Sequence, residues 1–375
     1  MSSSPSHIPL VDLVAQYQAI KPEMDAAIST IIGNGHFIGG EPIKAFAREF
    51  AAYANVPFCI PCANGTDAIE IALGVLGIGP GDEVILPSFT FVATLEAVCN
   101  VGATPVLCDI DPHRYTIDPY KAISLVTPAT KAFIPVHLFG QMADMDPLVV
   151  FASDNNLFII EDAAQAHGAM YKGKKAGSIG DINTFSFYPG KNLGAYGDAG
   201  AITTSSQWLY DKIFKIVNHG RVSKYDHEIV GRNSRMDTLQ AAILSVKLRH
   251  LEAWTSKRQS IATRYRASLS SLDNIQMSRE YADSPGVYHL FVIRVDKDIR
   301  DDFRSYLKSK GIETGIHYPI SLSRLKVTTD QLKIDVYCPE AEKASEEVVS
   351  LPIYPELTDL QQDYICDHIK TYFQK

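Results

Sequence analysis

Residues 64–205 alternate between short apolar runs and helical stretches. This alternation is typical of a mostly parallel sheet covered by helices, because parallel strands are joined by helical crossovers. Several of the runs are apolar on both faces, as buried parallel strands are. The predicted strands are Glu83–Leu86, Pro105–Asp109, Lys131–His137, Leu157–Glu161, Thr184–Phe187 and Gly200–Thr203. The sequence therefore predicts an α/β fold with a mostly parallel mixed sheet.

The pattern changes in the last third of the chain. A helical apolar stripe from Met236 to about Trp254 is followed by weaker, mixed signals. We predict an apolar strand at Val287–Val295, an amphipathic helix at Asp301–Lys310 and a last helix near Thr358–Phe373. Because 375 residues exceed what one core usually supports, we expect a large domain over 1–255 and a small α+β domain over 256–375.

The charge balance restricts the class of partner. The chain carries 35 Lys+Arg against 43 Asp+Glu, a net charge of −8, which opposes binding to nucleic acid but allows a small anionic substrate. No apolar run is long enough to cross a bilayer, and the start MSSSPSHIPL lacks the features of a signal peptide. We therefore expect a cytoplasmic protein with no membrane or nucleic-acid partner.

The six cysteines are expected to be reduced thiols. Cys59 and Cys62 form a C-x-x-C pair, which is found in redox sites and in half of some zinc sites. No second close pair completes a set of four ligands, so we favour two buried residues ending a strand, and we expect no metal.

Three segments have the residue types of a cofactor site. Ala63-Asn64-Gly65-Thr66-Asp67 runs from a strand end into a helix, where backbone amides bind phosphate, although the same residues also form capped turns. Asp162 follows a predicted strand end, where α/β proteins bind ligands, but it also suits a local turn cap.

Lys191 supplies the third group. It lies between an apolar run and several glycines in FSFYPGKNLGAYGDAG (185–200). Desolvation there would lower the pKa of the amine and make it a nucleophile of the kind that forms Schiff bases. The alternative is an ordinary lysine in a surface loop.

Taken together, the three groups match the needs of pyridoxal 5′-phosphate, which requires a phosphate site, a carboxylate for its ring nitrogen and an amine for its aldehyde. Other glycine-rich sites fit less well. The chain has no G-x-x-x-x-G-K-[ST] motif, and the glycines after Lys191 precede a predicted strand instead of a helix.

The chain also resembles a known family, the pyridoxal-phosphate-dependent nucleotide-sugar aminotransferases of the DegT/StrS type. Five motifs carry the resemblance, in family order and with similar spacing across nearly the whole chain. They are ANGTDAI (63–69), PSFTFVAT (87–94), EDAAQAHGA (161–169), GDINTFSFYPGKNLGAYGDAGAI (180–202) and GRNSRMDTLQAAIL (231–244).

The resemblance implies the aspartate-aminotransferase-like fold (fold type I) and a homodimer with shared active sites. It implies that Lys191 binds the cofactor covalently and then acts as general base and acid, and that Asp162 pairs with the ring nitrogen. The other cofactor contacts implied are Gln165 to the phenolic oxygen, Phe91 stacking on the ring, Gly65, Thr66 and Ser186 at the phosphate, and Asn233 reaching the phosphate from the neighbouring subunit.

The resemblance also indicates substrate contacts. His317 and Tyr318, in GIHYP, match a loop near the sugar, or else an aromatic turn packed on the small domain. Tyr188 lies beside the lysine. Arg221, Lys224 and Tyr225, in HGRVSKYDHE, would bind a nucleoside diphosphate, or else form a solvated basic loop.

The implied reaction moves an amine from L-glutamate to a nucleotide-linked keto sugar through pyridoxal phosphate, which alternates with its pyridoxamine form. The segment YPGKNLG followed by GDAG resembles the branch that aminates C-3, which predicts a dTDP-3-keto-6-deoxyhexose as acceptor. UDP-linked 3-keto sugars, 4-keto-6-deoxyhexoses, a generic amino-acid transaminase and a cofactor-binding regulator stay open as alternatives.

Overall fold

A computed structural model describes residues 7–374 of the chain. The first six residues of the N-terminal stretch interpreted above lie outside the described residues. The strands are β1 (Phe58–Cys62), β2 (Glu83–Pro87), β3 (Thr104–Cys108), β4 (Thr130–Phe133), β5 (Phe158–Asp162), β6 (Met170–Tyr171), β7 (Lys174–Lys175), β8 (Ile182–Ser186), β9 (Gly200–Thr204), β10 (Gln276–Met277), β11 (Phe291–Arg294) and β12 (Val348–Leu351).

Seven of these strands form one central sheet in the order β1-β9-β8-β5-β4-β2-β3. The five strands from β8 to β3 in that order are parallel, and β9 runs antiparallel to both of its neighbours. All six predicted strands are present, with bounds shifted by a few residues. The prediction of a mostly parallel mixed sheet is confirmed.

Helices cover both faces of this sheet. The helices are α1 (Leu13–Ala19), α2 (Lys21–Asn34), α3 (Glu41–Ala54), α4 (Gly65–Val75), α5 (Ala93–Asn100), α6 (Pro119–Ser124), α7 (Met145–Asn155), α8 (Gln207–Ile216), α9 (Thr238–Leu248), α10 (Leu251–Leu269), α11 (Lys297–Ser309), α12 (Pro339–Glu347) and α13 (Asp359–Phe373). No helix within residues 7–374 is both long and apolar enough to cross a membrane.

Alternate residues of the buried strands belong to two separate cores. In β2, Ile85 packs with Phe46 and Phe185 in the core on one face, whereas Val84 and Leu86 pack in the core on the other face. Because both faces are buried, these strands have the continuous apolar runs seen in the sequence. Burying one such side chain contributes about 1.5–3 kcal/mol.

The C-terminal part contains a second, antiparallel sheet in the order β10-β11-β12. Helix α13 begins with a capping box, in which Thr358 and Gln361 exchange side-chain and backbone hydrogen bonds. Helix α11 begins four residues before its predicted start, because Asp296 caps it by accepting a hydrogen bond from the Asp298 N–H at 2.8 Å. The predicted domain boundary between residues 255 and 256 falls inside α10 and stays a prediction.

Two predicted elements differ in extent from those observed. The helical stripe from Met236 to Trp254 is divided into α9 and α10. Between them the His250 N–H donates to the Lys247 carbonyl, three residues earlier, at 3.0 Å, so the α-helical pattern is interrupted. The strand predicted at Val287–Val295 is limited to Phe291–Arg294, since residues 287–290 instead pair with the 139–140 turn of the large sheet.

Candidate active site

A cavity of about 610 Å³ lies where β5 and β8 end and α4 begins. Segments from the C-terminal part close it on another side, through residues near 289, 317 and 353. The cavity brings together ten of the residues singled out in the sequence: Gly65, Thr66, Phe91, Asp162, Gln165, Ser186, Tyr188, Lys191, His317 and Tyr318. This position agrees with the rule that open α/β sheets bind ligands at the carboxyl ends of their strands.

Lys191 lies in a tight loop that follows β8. Its backbone N–H donates to the Tyr188 carbonyl at 2.8 Å. Gly194 permits this loop, because a Cβ there would lie 2.2 Å from the Pro189 carbonyl oxygen. Burial lowers the pKa of the Lys191 amine to about 8, against the opposing effect of the Asp162 charge. A substantial fraction of the amine is therefore neutral near physiological pH.

Asp162 ends β5 and is 5% exposed. Its carboxylate accepts hydrogen bonds from the Thr94 hydroxyl at 2.9 Å and from the Ala164 N–H at 3.2 Å. Burial raises the pKa of this carboxyl, while these two hydrogen bonds and the charge of Lys191 favour its ionised form. The turn contact and the cavity position thus occur together, so the two alternatives from the sequence do not exclude each other.

Gln165 is oriented by contacts on both sides of its amide. Its Oε1 accepts the Phe139 N–H at 2.7 Å, and its Nε2 donates to the Tyr318 hydroxyl at 3.0 Å. Because Oε1 is occupied by a backbone donor, the group left to face the cavity is the NH₂, which suits an anionic oxygen. Burial raises the pKa of Tyr318, so its hydroxyl stays protonated.

The start of α4 forms the polar end of the cavity. Asn64 caps this helix by accepting the Asp67 N–H at 2.8 Å. Gly65 lies so close to β8 that a Cβ would be 2.7 Å from the Ser186 Cβ. The unpaired N–H groups of this first turn, together with the hydroxyls of Thr66 and Ser186, form a site suited to a phosphate.

Aromatic residues line the outer wall. Phe91 is 54% exposed, and its ring centroid lies 5.7 Å from that of Tyr318. Tyr188 is likewise largely exposed. His317 Nδ1 lies 2.9 Å from Ser350 Oγ, and burial, helped by the charge of Lys191, lowers the pKa of this histidine to about 4. His317 is therefore neutral at physiological pH.

Four predicted site residues do not line this cavity in the same chain. Asn233 is exposed and pairs with Asn218 in an isolated antiparallel bridge. Arg221, Lys224 and Tyr225 lie in a loop closed by the bridge between Arg221 and His227, and Tyr225 is 83% exposed. These residues are available to a neighbouring molecule and reach no ligand in this cavity from their own chain.

A buried pair next to Asp162, formed by Glu161 and His137, was not predicted from the sequence. The Glu161 carboxylate accepts a hydrogen bond from His137 Nε2 at 2.8 Å. It also accepts hydrogen bonds at 2.6–2.9 Å from the backbone N–H groups of Gly177, Ile179 and Gly180. His137 Nδ1 accepts the Ala143 N–H at 3.2 Å, which places the proton on Nε2. Adjacent acids in a buried strand point to opposite faces, and this alternation was the available signal.

Comparison with known proteins identifies the family. Residues 18–370 match the profile of the DegT/DnrJ/EryC1/StrS aminotransferase family. The chain belongs to this family. The predictions of fold type I and of a pyridoxal-phosphate-dependent aminotransferase are confirmed at the level of the family.

Relatives of known name match nearly the whole chain. A "pleiotropic regulatory protein" of Geobacillus stearothermophilus is 43% identical, and the match covers 98% of this chain and 99% of the relative. The dTDP-3-amino-3,4,6-trideoxy-alpha-D-glucose transaminase of Streptomyces venezuelae is 40% identical, with 98% of this chain and 97% of that protein covered.

Solved structures agree with this assignment. The crystal structure of DesV from S. venezuelae superposes with a TM-score of 0.96 at 40% identity, covering 99% of this chain and 100% of that chain. NtdA of Bacillus subtilis, solved with bound pyridoxamine phosphate, superposes with a TM-score of 0.93 at 33% identity, covering 100% of this chain and 87% of that one.

Proposed function

We propose that this protein transfers the amine of L-glutamate to C-3 of a dTDP-3-keto-6-deoxyhexose, giving a dTDP-3-amino-3,6-dideoxyhexose. The observation that carries the proposal is the placement of Lys191, Asp162 and Gln165 around one cavity. The relatives whose names specify dTDP-linked 3-amino sugars support the acceptor. They include the S. venezuelae transaminase and one from Aneurinibacillus thermoaerophilus at 41% identity over 97% of this chain.

The residues around the cavity fit pyridoxal phosphate. Gly65, Thr66 and Ser186 would bind the phosphate, and we call this group of residues the phosphate cradle. A Cβ at Gly65 would fill the space between the helix start and Ser186. Asp162 would hold the ring nitrogen, and the Gln165 amide would donate to the phenolic oxygen. When bound, the cofactor supplies an electron sink for the carbon that loses a proton.

Lys191 would hold the cofactor's aldehyde carbon and afterwards move the proton. With a pKa lowered to about 8 by burial, its Nζ can take a proton from the substrate carbon and return it within one turnover. Phe91, facing the cavity beside Tyr318, would cover the ring, exclude water and fix its tilt.

The remaining assignments need a second copy of the chain. In the homodimer that we propose, Asn233 reaches the phosphate of the neighbouring site, and Arg221, Lys224 and Tyr225 contact the nucleoside diphosphate there. Asn233, Lys224 and Tyr225 are exposed and Arg221 is half-buried in the isolated chain, which supports this assignment. Tyr188, His317 and Tyr318 would border the sugar ring.

Other acceptors have named relatives too. The UDP-2-acetamido-2-deoxy-3-oxo-D-glucuronate aminotransferase of Pseudomonas aeruginosa is 41% identical over 96% of this chain. GDP-perosamine synthase of Caulobacter vibrioides is 38% identical over 87%. We propose the dTDP sugar because the loop after Lys191 in this chain resembles the branch of the family that aminates C-3.

A direct comparison of acceptors tests the proposal. The kcat/KM for a dTDP-3-keto-6-deoxyhexose is measured beside that for a UDP-3-keto sugar and a 4-keto-6-deoxyhexose, with L-glutamate as donor. We expect the dTDP-3-keto sugar to exceed both others at least tenfold. A preference for either of the other two would overturn the choice of acceptor.

A regulator without turnover is the second candidate, favoured by the name of the G. stearothermophilus relative. The retention of Lys191, Asp162 and Gln165 in one cavity argues against it, because a protein that only binds the cofactor has no need of a proton-transferring lysine. Absence of amine transfer with every acceptor above, in a protein that binds the cofactor, would favour the regulator.

A further inference from the structure

A second buried cation lines the active-site cavity. Arg258 projects from α10 and is only 4% exposed. Its Nη1 donates to three backbone carbonyls, those of Ile353 at 2.9 Å, Tyr288 at 3.1 Å and His289 at 3.5 Å. Its Nε and Nη2 find no hydrogen-bond acceptor among residues 7–374. Most of the donors on this guanidinium are therefore left for another group.

The charge of Arg258 also lacks a close counterion. Glu356 is the acid whose charge acts on it, yet the two side chains form no ion pair in the described part of the chain. Burial raises the pKa of Glu356, which weakens it as a partner. Burial lowers the pKa of Arg258 to about 10, so the guanidinium keeps its charge at neutral pH. A buried, unpaired cation is costly unless a ligand or water completes it.

Arg258, Lys191 and His289 all line this one cavity. Burial lowers the pKa of His289, and the charges of Lys191 and Arg258 act on it in the same sense. An α-amino acid carries its amine and its carboxylate on one carbon, so a donor whose amine approaches the lysine end brings a carboxylate within a few ångströms. A guanidinium with free donors binds a carboxylate through two parallel hydrogen bonds.

We propose that Arg258 binds the α-carboxylate of the amino donor and so positions it for reaction. The inference rests on the proposed transamination and adds to it the residue that selects the donor. The three carbonyls hold the guanidinium in place, which preorganises the anchor before the donor binds. The cations that we assign to the nucleoside diphosphate, Arg221 and Lys224, lie outside this cavity in their own chain.

The test separates the two half-reactions. The holoenzyme and the variants Arg258→Lys and Arg258→Met are titrated with L-glutamate, and the change in cofactor absorbance gives the donor dissociation constant. L-Glutamine, which keeps only the α-carboxylate, is titrated in the same way. The pyridoxamine-loaded forms are then given the keto sugar alone. Arg264→Met is the matched control, because Arg264 lies in the same helix but is paired at the surface with Asp359 and Asp363.

We expect the dissociation constant for both amino acids to rise about 100-fold in Arg258→Met and about 10-fold in Arg258→Lys, as for loss of a charge-assisted pair. The sugar half-reaction should change less than about threefold, and Arg264→Met should match the wild type in both halves.

Three results would overturn the inference. Unchanged binding of both amino acids in the Lys variant would do so, even if the Met variant does not fold. An equal loss in both half-reactions would mean that Arg258 only supports the cavity wall through the three carbonyls. A loss confined to the sugar half-reaction would assign the guanidinium to an anionic group of the nucleotide sugar. If the wild type itself shows no reaction with either amino acid, the proposed function fails, and this result is distinct from the other three.

Discussion

The Lys191 amine and the Asp162 carboxyl line one cavity, and the charge of each favours the ionised form of the other. Burial acts in the opposite sense on both, lowering the pKa of the amine and raising that of the acid. Burial and the mutual attraction of the two charges therefore oppose each other at both groups.

Reaction of the apoprotein with pyridoxal phosphate should depend on pH through Lys191. Only the neutral amine reacts, and its fraction grows as the pH rises through about 8, so the rate of covalent uptake should increase with pH and level off above that value. The uptake rate is measured from about pH 6 to about pH 11.5, beside N-acetyl-lysine, whose amine titrates at about 10.4. A midpoint for the protein equal to that of N-acetyl-lysine would contradict the lowered pKa.

Asp162→Asn gives two expected results. Removing the carboxylate takes away the charge that favours the ammonium, so the midpoint of cofactor uptake should move to lower pH. Turnover should fall by several orders of magnitude, because an amide does not stabilise a protonated ring nitrogen as a carboxylate does. Rates of the glutamate half-reaction measure this effect.

Thr94→Val should have a smaller effect on activity than Asp162→Asn. It removes one hydrogen bond to the Asp162 carboxylate, which contributes about 1.5–3 kcal/mol for a charged acceptor. We expect a loss of activity between the wild type and Asp162→Asn, with circular dichroism unchanged. Near-wild-type turnover in Asp162→Asn would mean that the ring nitrogen has another partner.

Gly65→Ala tests the phosphate cradle at the start of α4. The new Cβ would lie 2.7 Å from the Ser186 Cβ, so the helix start must move away from β8. We expect the affinity for pyridoxal phosphate to fall at least about tenfold, measured by fluorescence titration of the apoprotein.

The matched control for this change is Gly74→Ala in the same helix. A Cβ at residue 74 meets no atom within 4 Å. Its cofactor affinity should equal that of the wild type, and the free energy of unfolding should rise by about 0.5–1 kcal/mol because alanine favours the helix. Equal affinity in the two variants would show that the cradle does not hold the phosphate.

The sequence predicted the central sheet well because burial on both faces leaves continuous apolar runs between clear turn signals. The strand predicted at Val287–Val295 was too long, because an apolar run alone does not show which backbone groups pair with another strand. Val287 and Leu290 are apolar, but their N–H groups pair with the 139–140 turn instead of a strand, a long-range contact that no local pattern reveals.

The residues of the candidate site were likewise predicted only in part from the sequence. Gly65, Asp162 and Ser186 were found because they occupy a helix start or a strand end, where local sequence and position agree. Arg258 was missed, since in the sequence it stands beside Lys257 in an ordinary polar stretch of a helix. Only the packing of the C-terminal segments over α10 buries it.

Shared active sites predict complementation between inactive variants. Lys191→Ala and Asn233→Ala proteins should each be inactive, and mixing them should restore activity in heterodimers, because one of the two sites then carries neither lesion. Activity is measured after subunit exchange has been verified with differently tagged chains. If exchange occurs and no activity returns, Asn233 does not act from the neighbouring subunit.

The transfer of nitrogen itself is the most direct test of the central claim. The protein is incubated with [¹⁵N]-L-glutamate and a dTDP-3-keto-6-deoxyhexose, and the nucleotide sugar is analysed by mass spectrometry, with Lys191→Ala alongside. We predict a dTDP-amino sugar that carries the label with the wild type and none with the variant. A wild-type protein that binds pyridoxal phosphate yet leaves every nucleotide-linked keto sugar unlabelled would contradict the account.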